Sequence, residues 1–168
     1  MIQQQAYWFV AKTRHGAELG VRDYLTQLGV DSFVPTRTRR ASRGKRMVEE
    51  PLLTSFVFLR ARKLEVLDLF RNFGVKASLV NDCATHQLMF VSDKCMEDFR
   101  RVLEASIEEG GLIDKPLAVG EKVRVIQGVL KGVEGNVLEL QGRIYVVVGL
   151  LNCLFARARV PRAWLERV

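Results

Sequence analysis

Cysteine is scarce, with 3 in 168 residues and no regular spacing, which excludes a disulfide-stapled secreted scaffold. No run of 18 apolar residues exists, so no helical membrane span is expected. The opening MIQQQAYWFV has no basic stretch leading into a long apolar segment, which is not the pattern of a secretory signal. A Gly-rich phosphate loop ending in Gly-Lys-Ser/Thr is missing, which argues against nucleotide hydrolysis. Histidine occurs twice. Cys83, His86 and Cys95 fall short of the four closely paired ligands of a structural zinc site, and Cys153 lies far along the chain. Cys83 and His86 have only the adjacent Asp82 to orient them, a poor arrangement for nucleophilic catalysis. No catalytic residue, metal or cofactor is therefore expected. The expectation is a soluble cytoplasmic binding protein of one medium domain or two small ones.

What the sequence has in excess is positive charge. Basic residues number 26 against 19 acidic, a net charge of +7, while 48% apolar residues supply enough for a core. The excess is uneven: residues 1–48 carry nine basic and three acidic side chains, 49–116 nine and twelve, 117–168 eight and four. Its densest part is Arg37, Arg39, Arg40, Arg43, Lys45 and Arg46, six basic residues in ten. Such a cluster attracts polyanions by neutralising phosphates and releasing their counterions. A solvated loop is the competing reading. Lys12, Arg14 and His15 form a second basic group nearby, and two groups in one short region favour a nucleic-acid face.

Tyr7 to Ala11 is an aromatic and β-branched run that predicts a strand. Ala17, Val21, Tyr24, Leu25 and Leu28 recur at spacings of three and four, one face of an amphipathic helix that Gly29 ends. Ser32 to Val34 reads as a strand entering the basic stretch. Ser42-Arg43-Gly44-Lys45 signals the turn of a basic hairpin. Ser55 to Leu59, nearly continuous in apolar character, reads as a central strand. Leu64, Leu67, Leu69 and Phe70 suggest a short helix ended by Gly74, and Val75–Val80 and Leu88–Val91 two more strands. Ser92 is placed to cap a helix with Met96, Phe99, Leu103 and Ile107 inside. The fold class is α+β, helices packed on a mainly antiparallel sheet, over residues 1–107.

Residues 108–116 break every periodicity, with paired glycines and a proline, and read as a flexible linker. From 117 to 168 the texture is short strands: Lys122–Gln127, Val133–Leu140, Ile144–Val148 and Leu154–Val160, with a tight turn at Gly142. That pattern predicts a small β barrel. Val123-Arg124-Val125 and Val146-Val147-Val148 favour strand strongly. Arg157, Arg159 and Arg162 give it a basic edge.

Val119 to Val137, an apolar strand, Gly128, a short loop and Gly135 opening the next strand, resembles a KOW motif. Both glycines suit turn conformations or close backbone approach. In the front half, Trp8-Phe9-Val10 and a helix, Phe33-Val34-Pro35, the basic hairpin, then Glu50-Pro51-Leu52-Leu53-Thr54-Ser55-Phe56-Val57-Phe58 and Arg71 to Val75 resemble the N-terminal domain of the NusG family. The likeness in order spans both halves. Arg43-Gly44-Lys45-Arg46 and Glu50-Pro51-Leu52 are similar to the specialised RfaH- and UpxY-type branch, whose members act on polysaccharide operons. One departure is Thr54-Ser55, where the family usually has Pro-Gly or Pro-Asn.

The resemblance implies a NusG-like N-terminal domain, a linker and an SH3-like KOW barrel. It implies a monomeric bacterial transcription elongation or antitermination factor without enzymatic activity. An apolar depression would grip the clamp helices of the largest RNA polymerase subunit, on residues matching Trp8, Leu53, Phe56 and Phe58; for each, ordinary sheet core is the alternative. Lys12, Arg14 and His15, with Arg22 and Tyr24 on the next helix, match the surface that meets non-template DNA in the elongation complex. The barrel would engage ribosomal protein S10 or Rho, with the facing loop near Leu150 and Leu151, unless those leucines are core. The alternative function is a KOW-containing RNA-binding protein of the ribosome.

Overall fold

A computed structural model describes residues 4–106, 112–113, 120–150 and 154–168. The chain divides into two compact units, Met1–Ser92 and Asp93–Val168.

In the first unit the chain runs β1 (Ala6–Lys12), α1 (Glu18–Gln27), β2 (Asp31–Phe33), β3 (Thr36–Arg40) and β4 (Met47–Pro51). It continues as β5 (Phe56–Arg62), α2 (Lys63–Asn72), β6 (Ser78–Leu79) and β7 (Phe90–Val91). The main sheet has the order β2-β5-β1-β6, with β7 also on β1, and its pairings are antiparallel. β5 is central, as its unbroken apolar run predicts, flanked by β1 and β2. Alternation sorts its side chains. Val57, Leu59 and Ala61 join Phe9, Ala11, Val21, Leu25, Val66 and Leu69 in one buried cluster with the two helices. Trp8, Phe56 and Phe58 occupy the alternate positions of β1 and β5, so they belong to the opposite face of the sheet.

β3 and β4 form a separate two-stranded ribbon, with Thr36 opposite Pro51 and Arg40 opposite Met47. The intervening turn closes with the Ala41 N–H on the Arg46 carbonyl, 2.9 Å. This is the basic hairpin read in the sequence.

The second unit opens with α3 (Asp93–Ser106), followed by β8 (Leu112–Ile113), β9 (Lys122–Val125), β10 (Glu134–Leu140), β11 (Arg143–Leu150) and β12 (Leu154–Arg159). A 3-10 turn at Arg162–Trp164 leads into β13 (Leu165–Arg167). The strands form one antiparallel sheet in the order β13-β9-β10-β11-β12-β8. Two glycines are required by contact. A Cβ on Gly135 would run into the Val147 carbonyl oxygen, and one on Gly128, at φ +80°, would lie 2.5 Å from the Trp164 ring.

α3 counts with the second unit, whereas the sequence reading ran the first domain to residue 107. Polar bonds within that unit supply the reason. Asp98, 3% exposed, receives Lys94 Nζ on both oxygens at 2.7 Å and the Glu134 N–H at 3.2 Å. Arg101 donates to the carbonyls of Val129 and Lys131 at 2.8 and 2.9 Å. The helix is thus tied to the loop between β9 and β10. The segment 108–116 is not wholly irregular either, since Leu112 and Ile113 pair with Ala156 and Phe155. Two apolar residues between breakers carry too little pattern to be read as a strand. Among the described residues, no helix is long and apolar enough to cross a membrane.

Candidate functional site

A closely bonded surface feature of the first unit is the turn that leads into β5. Ser55 sits there at φ +70°, a left-handed conformation that costs a residue with a Cβ about 1–2 kcal/mol. Three bonds hold it. The Ser55 N–H donates to Glu18 Oε1 at 2.6 Å, the Thr13 N–H donates to the Ser55 carbonyl at 2.8 Å, and the Leu52 N–H donates to the Pro35 carbonyl at 2.7 Å. The Thr13 hydroxyl reaches on to the Lys76 carbonyl, 3.0 Å. Glu18 is 1% exposed. Burial pushes its carboxyl up, but the N–H groups of Ser55, Glu18 and Gly16, with nearby His15, outweigh this and hold it below its ordinary value.

That anchorage presents Leu53 and Phe56 half-buried at the end of the sheet. Lys12 is the cross-strand partner of Phe56, and Lys12, Arg14 and His15 are all exposed. Apolar and basic candidates read from distant parts of the sequence thus meet at one edge. Trp8 and Phe58, at 4% and 1% exposure, do not join them at the surface. That exposure makes them core here, and the Phe33 ring lies tilted against Phe58 with 6.3 Å between ring centroids.

Two further candidates are already engaged. Arg22 holds Glu49 with two bonds of 2.6 and 3.1 Å, and Glu49 also accepts the Thr36 hydroxyl at 2.9 Å. This clamp ties α1 to the basic ribbon and raises the Arg22 pKa while lowering that of Glu49. Tyr24 gives its hydroxyl proton to the Phe73 carbonyl. Both residues therefore position structure rather than offer free donors. Nearby, a cleft of about 370 Å³ is lined by Gly16, Ala17, Gly20, Val21, Tyr24, Gly74 and Lys76. With one ionisable group beside a tyrosine already bonded, it offers no set of groups for acid–base chemistry.

The ribbon divides its own charge. Arg37 and Arg39 both pair with Glu50, at 3.2 and 2.8 Å. Arg40, Arg43, Lys45 and Arg46, at and beside the turn, have no ion-pair partner among the described residues and are exposed. The free charge is thus at the tip. Sequence reasoning missed Glu18, a single acidic residue at a helix start, and Glu49, which reads as a neutralising neighbour of the basic run.

In the second unit, Leu150, expected on an exposed loop, is 0% exposed. It ends β11 opposite Leu154 and belongs to the core; Leu151 lies outside the described residues. The thiol of Cys95 is half-buried on the Gly149 carbonyl at 3.6 Å, and burial pushes its pKa up. Asp82 caps its own turn through the N–H groups of Ala84 and Thr85, which hold its carboxyl below the ordinary value. Among the described residues no group of His, Cys, Asp and Glu is placed to hold a metal ion.

A family model described as transcription termination factor nusG matches residues 6–100. No curated protein matches. Among solved structures, one titled "Domain interaction in Thermotoga maritima NusG" is similar at 17% identity and a TM-score of 0.47, covering 99% of both chains. A structure of the MjSpt4:Spt5 complex is similar at 14% identity and a TM-score of 0.28, over 96% of this chain and 97% of the other.

Proposed function

Because this chain belongs to the NusG family of transcription factors, we propose that it is a transcription elongation factor that holds RNA polymerase in its closed, processive state. The family works by binding, not by catalysis. A protein that prefers the closed clamp shifts the population toward it by its differential affinity, which suppresses pausing or termination. In this reading Leu53 and Phe56 touch the clamp helices, with Trp8 and Phe58 as the packed layer beneath them. Lys12, Arg14, His15 and the free bases of the ribbon tip meet DNA in the elongation complex.

The observation that carries the reading is the pinned turn at Ser55, which holds two apolar side chains beside an exposed basic group. Aromatic and aliphatic anchors near the centre of a contact, rimmed by charge, are the usual energetic core of an interface. The specialised, operon-restricted role, on polysaccharide genes in the bacterial cytoplasm, rests on Arg43-Gly44-Lys45-Arg46 and Glu50-Pro51-Leu52. Engagement of ribosomal protein S10 or Rho by the monomer's second unit rests on the KOW-like order of its strands.

Co-sedimentation with purified bacterial RNA polymerase tests this. Leu53→Asp and Phe56→Ala should each weaken binding tenfold or more while the circular dichroism spectrum is unchanged. Parental affinity in both variants would remove the assigned surface. Association with large ribosomal subunits instead of polymerase would favour a ribosomal RNA-binding protein. Arg14→Gln with His15→Gln should reduce recruitment to DNA-containing elongation complexes more than affinity for free polymerase.

A further inference from the structure

One hydroxyl stands among the free bases of the ribbon tip and takes no part in the polymerase or DNA contacts proposed above. Ser42 lies exposed in the turn between β3 and β4, and among the described residues no hydrogen bond engages its side chain. The Ala41 N–H closes that turn on the Arg46 carbonyl at 2.9 Å, and Gly44 bends it at φ +109°. Arg39 and Arg40 precede Ser42, and Arg43, Lys45 and Arg46 follow it. Arg39 is paired with Glu50 at 2.8 Å, while the other four have no ion-pair partner among the described residues. The ribbon's two other hydroxyls differ. Thr36 donates to Glu49 at 2.9 Å, and Thr38 sits within a paired strand opposite Glu49. Ser42 is thus the ribbon hydroxyl that is exposed, off the strands and flanked on both sides by unneutralised bases.

We propose that Ser42 is a phosphorylation site whose phosphate is held by the ribbon's own arginines. In the step, Ser42 Oγ attacks the γ-phosphorus of a nucleoside triphosphate bound to a serine/threonine kinase that prefers basic substrates. The Oγ–P bond forms and the bond to the β,γ-bridging oxygen breaks. Its electron pair leaves on the nucleoside diphosphate, and the hydroxyl proton passes to the kinase's base. Recognition follows from charge. Bases on both sides of an accessible hydroxyl complement an acidic substrate cleft, whereas Glu49 beside Thr36 and Thr38 repels one. The ribbon pairs with no third strand, so its tip opens for the loss of few backbone bonds. The product adds about −1.5 to −2 charge and three acceptor oxygens beside Arg40 and Arg43, whose planar forks match a phosphate. The four free bases of the tip then fall to a net charge of about +2. The effect on DNA binding rests on the tip being a DNA contact; the place of the phosphate does not. Acylation of Lys45 would also lower the charge but would leave the arginines nothing to hold.

The test begins with the full-length chain isolated from its own cells in exponential and stationary growth, cut by a glutamyl endopeptidase and mapped by mass spectrometry. One phosphoryl group on Ser42 is expected, and Ser42→Ala expressed in the same cells should lack it. A base-preferring kinase with ATP should load the purified parent at that site, and Arg39→Gln with Arg40→Gln should slow loading about fivefold or more. Phosphorus NMR of the loaded chain should place the second phosphate ionisation below its ordinary value of about 6, and Arg40→Gln with Arg43→Gln should return it toward that value. In fluorescence anisotropy with a short DNA duplex, loading should weaken binding about tenfold. It should also lower the slope of log affinity against log salt by roughly 1.8, the value for two phosphate contacts. Ser42→Ala should bind as the parent does. The expected phosphate and ionisation with unchanged DNA affinity would support the site and refute the DNA reading of the tip. A Ser42 without phosphate in both growth phases, phosphate on Thr38 instead, an acyl group on Lys45 in its place, or an ionisation indifferent to the arginines would overturn the proposal.

Discussion

Glu18→Ala removes the carboxylate that receives the Ser55 N–H, and the consequence can be sized from the geometry. The carboxylate side chain is 1% exposed and the bond is 2.6 Å, so in the variant the half-buried Ser55 N–H is left without its partner. A hydrogen bond to a charged acceptor contributes roughly 1.5–3 kcal/mol, and relief of the buried charge offsets part of that, leaving a loss of about 2 kcal/mol. For a unit spanning Met1–Ser92 this lowers the midpoint by roughly 8–16 °C. The sign of the pH dependence follows from the depressed carboxyl. Its contribution is complete above the unfolded value of about 4.3 and is lost as pH falls through the folded value. The parent–variant difference should therefore be constant from about pH 6 to 8 and shrink below about pH 4. With one tryptophan in each unit, a Trp164→Phe background leaves Trp8 fluorescence to report the first unit in urea titrations. A loss below about 0.5 kcal/mol at pH 7, or an undiminished difference at pH 3, would refute the argument.

Ser55→Gly should stabilise the first unit by up to about 1 kcal/mol, since glycine adopts φ +70° without steric cost, while Ser55→Val should destabilise it by more than that; urea midpoints decide. Gly135→Ala should cost roughly 2–3 kcal/mol in the second unit, because its Cβ meets the Val147 backbone, and Trp164 fluorescence in a Trp8→Phe background would register the shift. Glu49→Gln sets two effects against each other. Removing a negative charge beside a basic surface strengthens attraction for DNA, but loosening the Arg22 clamp frees the ribbon's orientation. A roughly two- to fivefold weakening of DNA binding is expected from the second effect, and tighter binding would show that field alone matters.

Much of the fold was legible because it rests on local pattern. The run from Tyr7 to Ala11, the helical spacing of Val21 and Leu25, and the unbroken apolar strand after Ser55 each signal their element through periods that backbone geometry imposes. The basic ribbon was legible for the same reason, as a turn signal between two strand-like stretches. Which arginines stay free was not. Arg37 and Arg39 are indistinguishable in sequence from Arg40 and Arg43, and only the cross-strand position of Glu50 separates them. Trp8 and Phe58 read equally well as contact or core, and only the packing of the folded chain, which leaves them 4% and 1% exposed, made them core.

By itself the amino-acid order determined the kinds of element, their succession and the positive balance of both ends. Those depend on composition and on spacings of two to four residues, which any chain expresses before it folds, while the family is carried by the order of its motifs along the chain. The tertiary structure alone decided that Glu18 grips a turn 37 residues away and that α3 joins the second unit. It alone brought Arg157 over Tyr145 on a neighbouring strand. Such contacts join residues far apart along the chain, and their energies depend on burial and register, which exist only once the strands have paired.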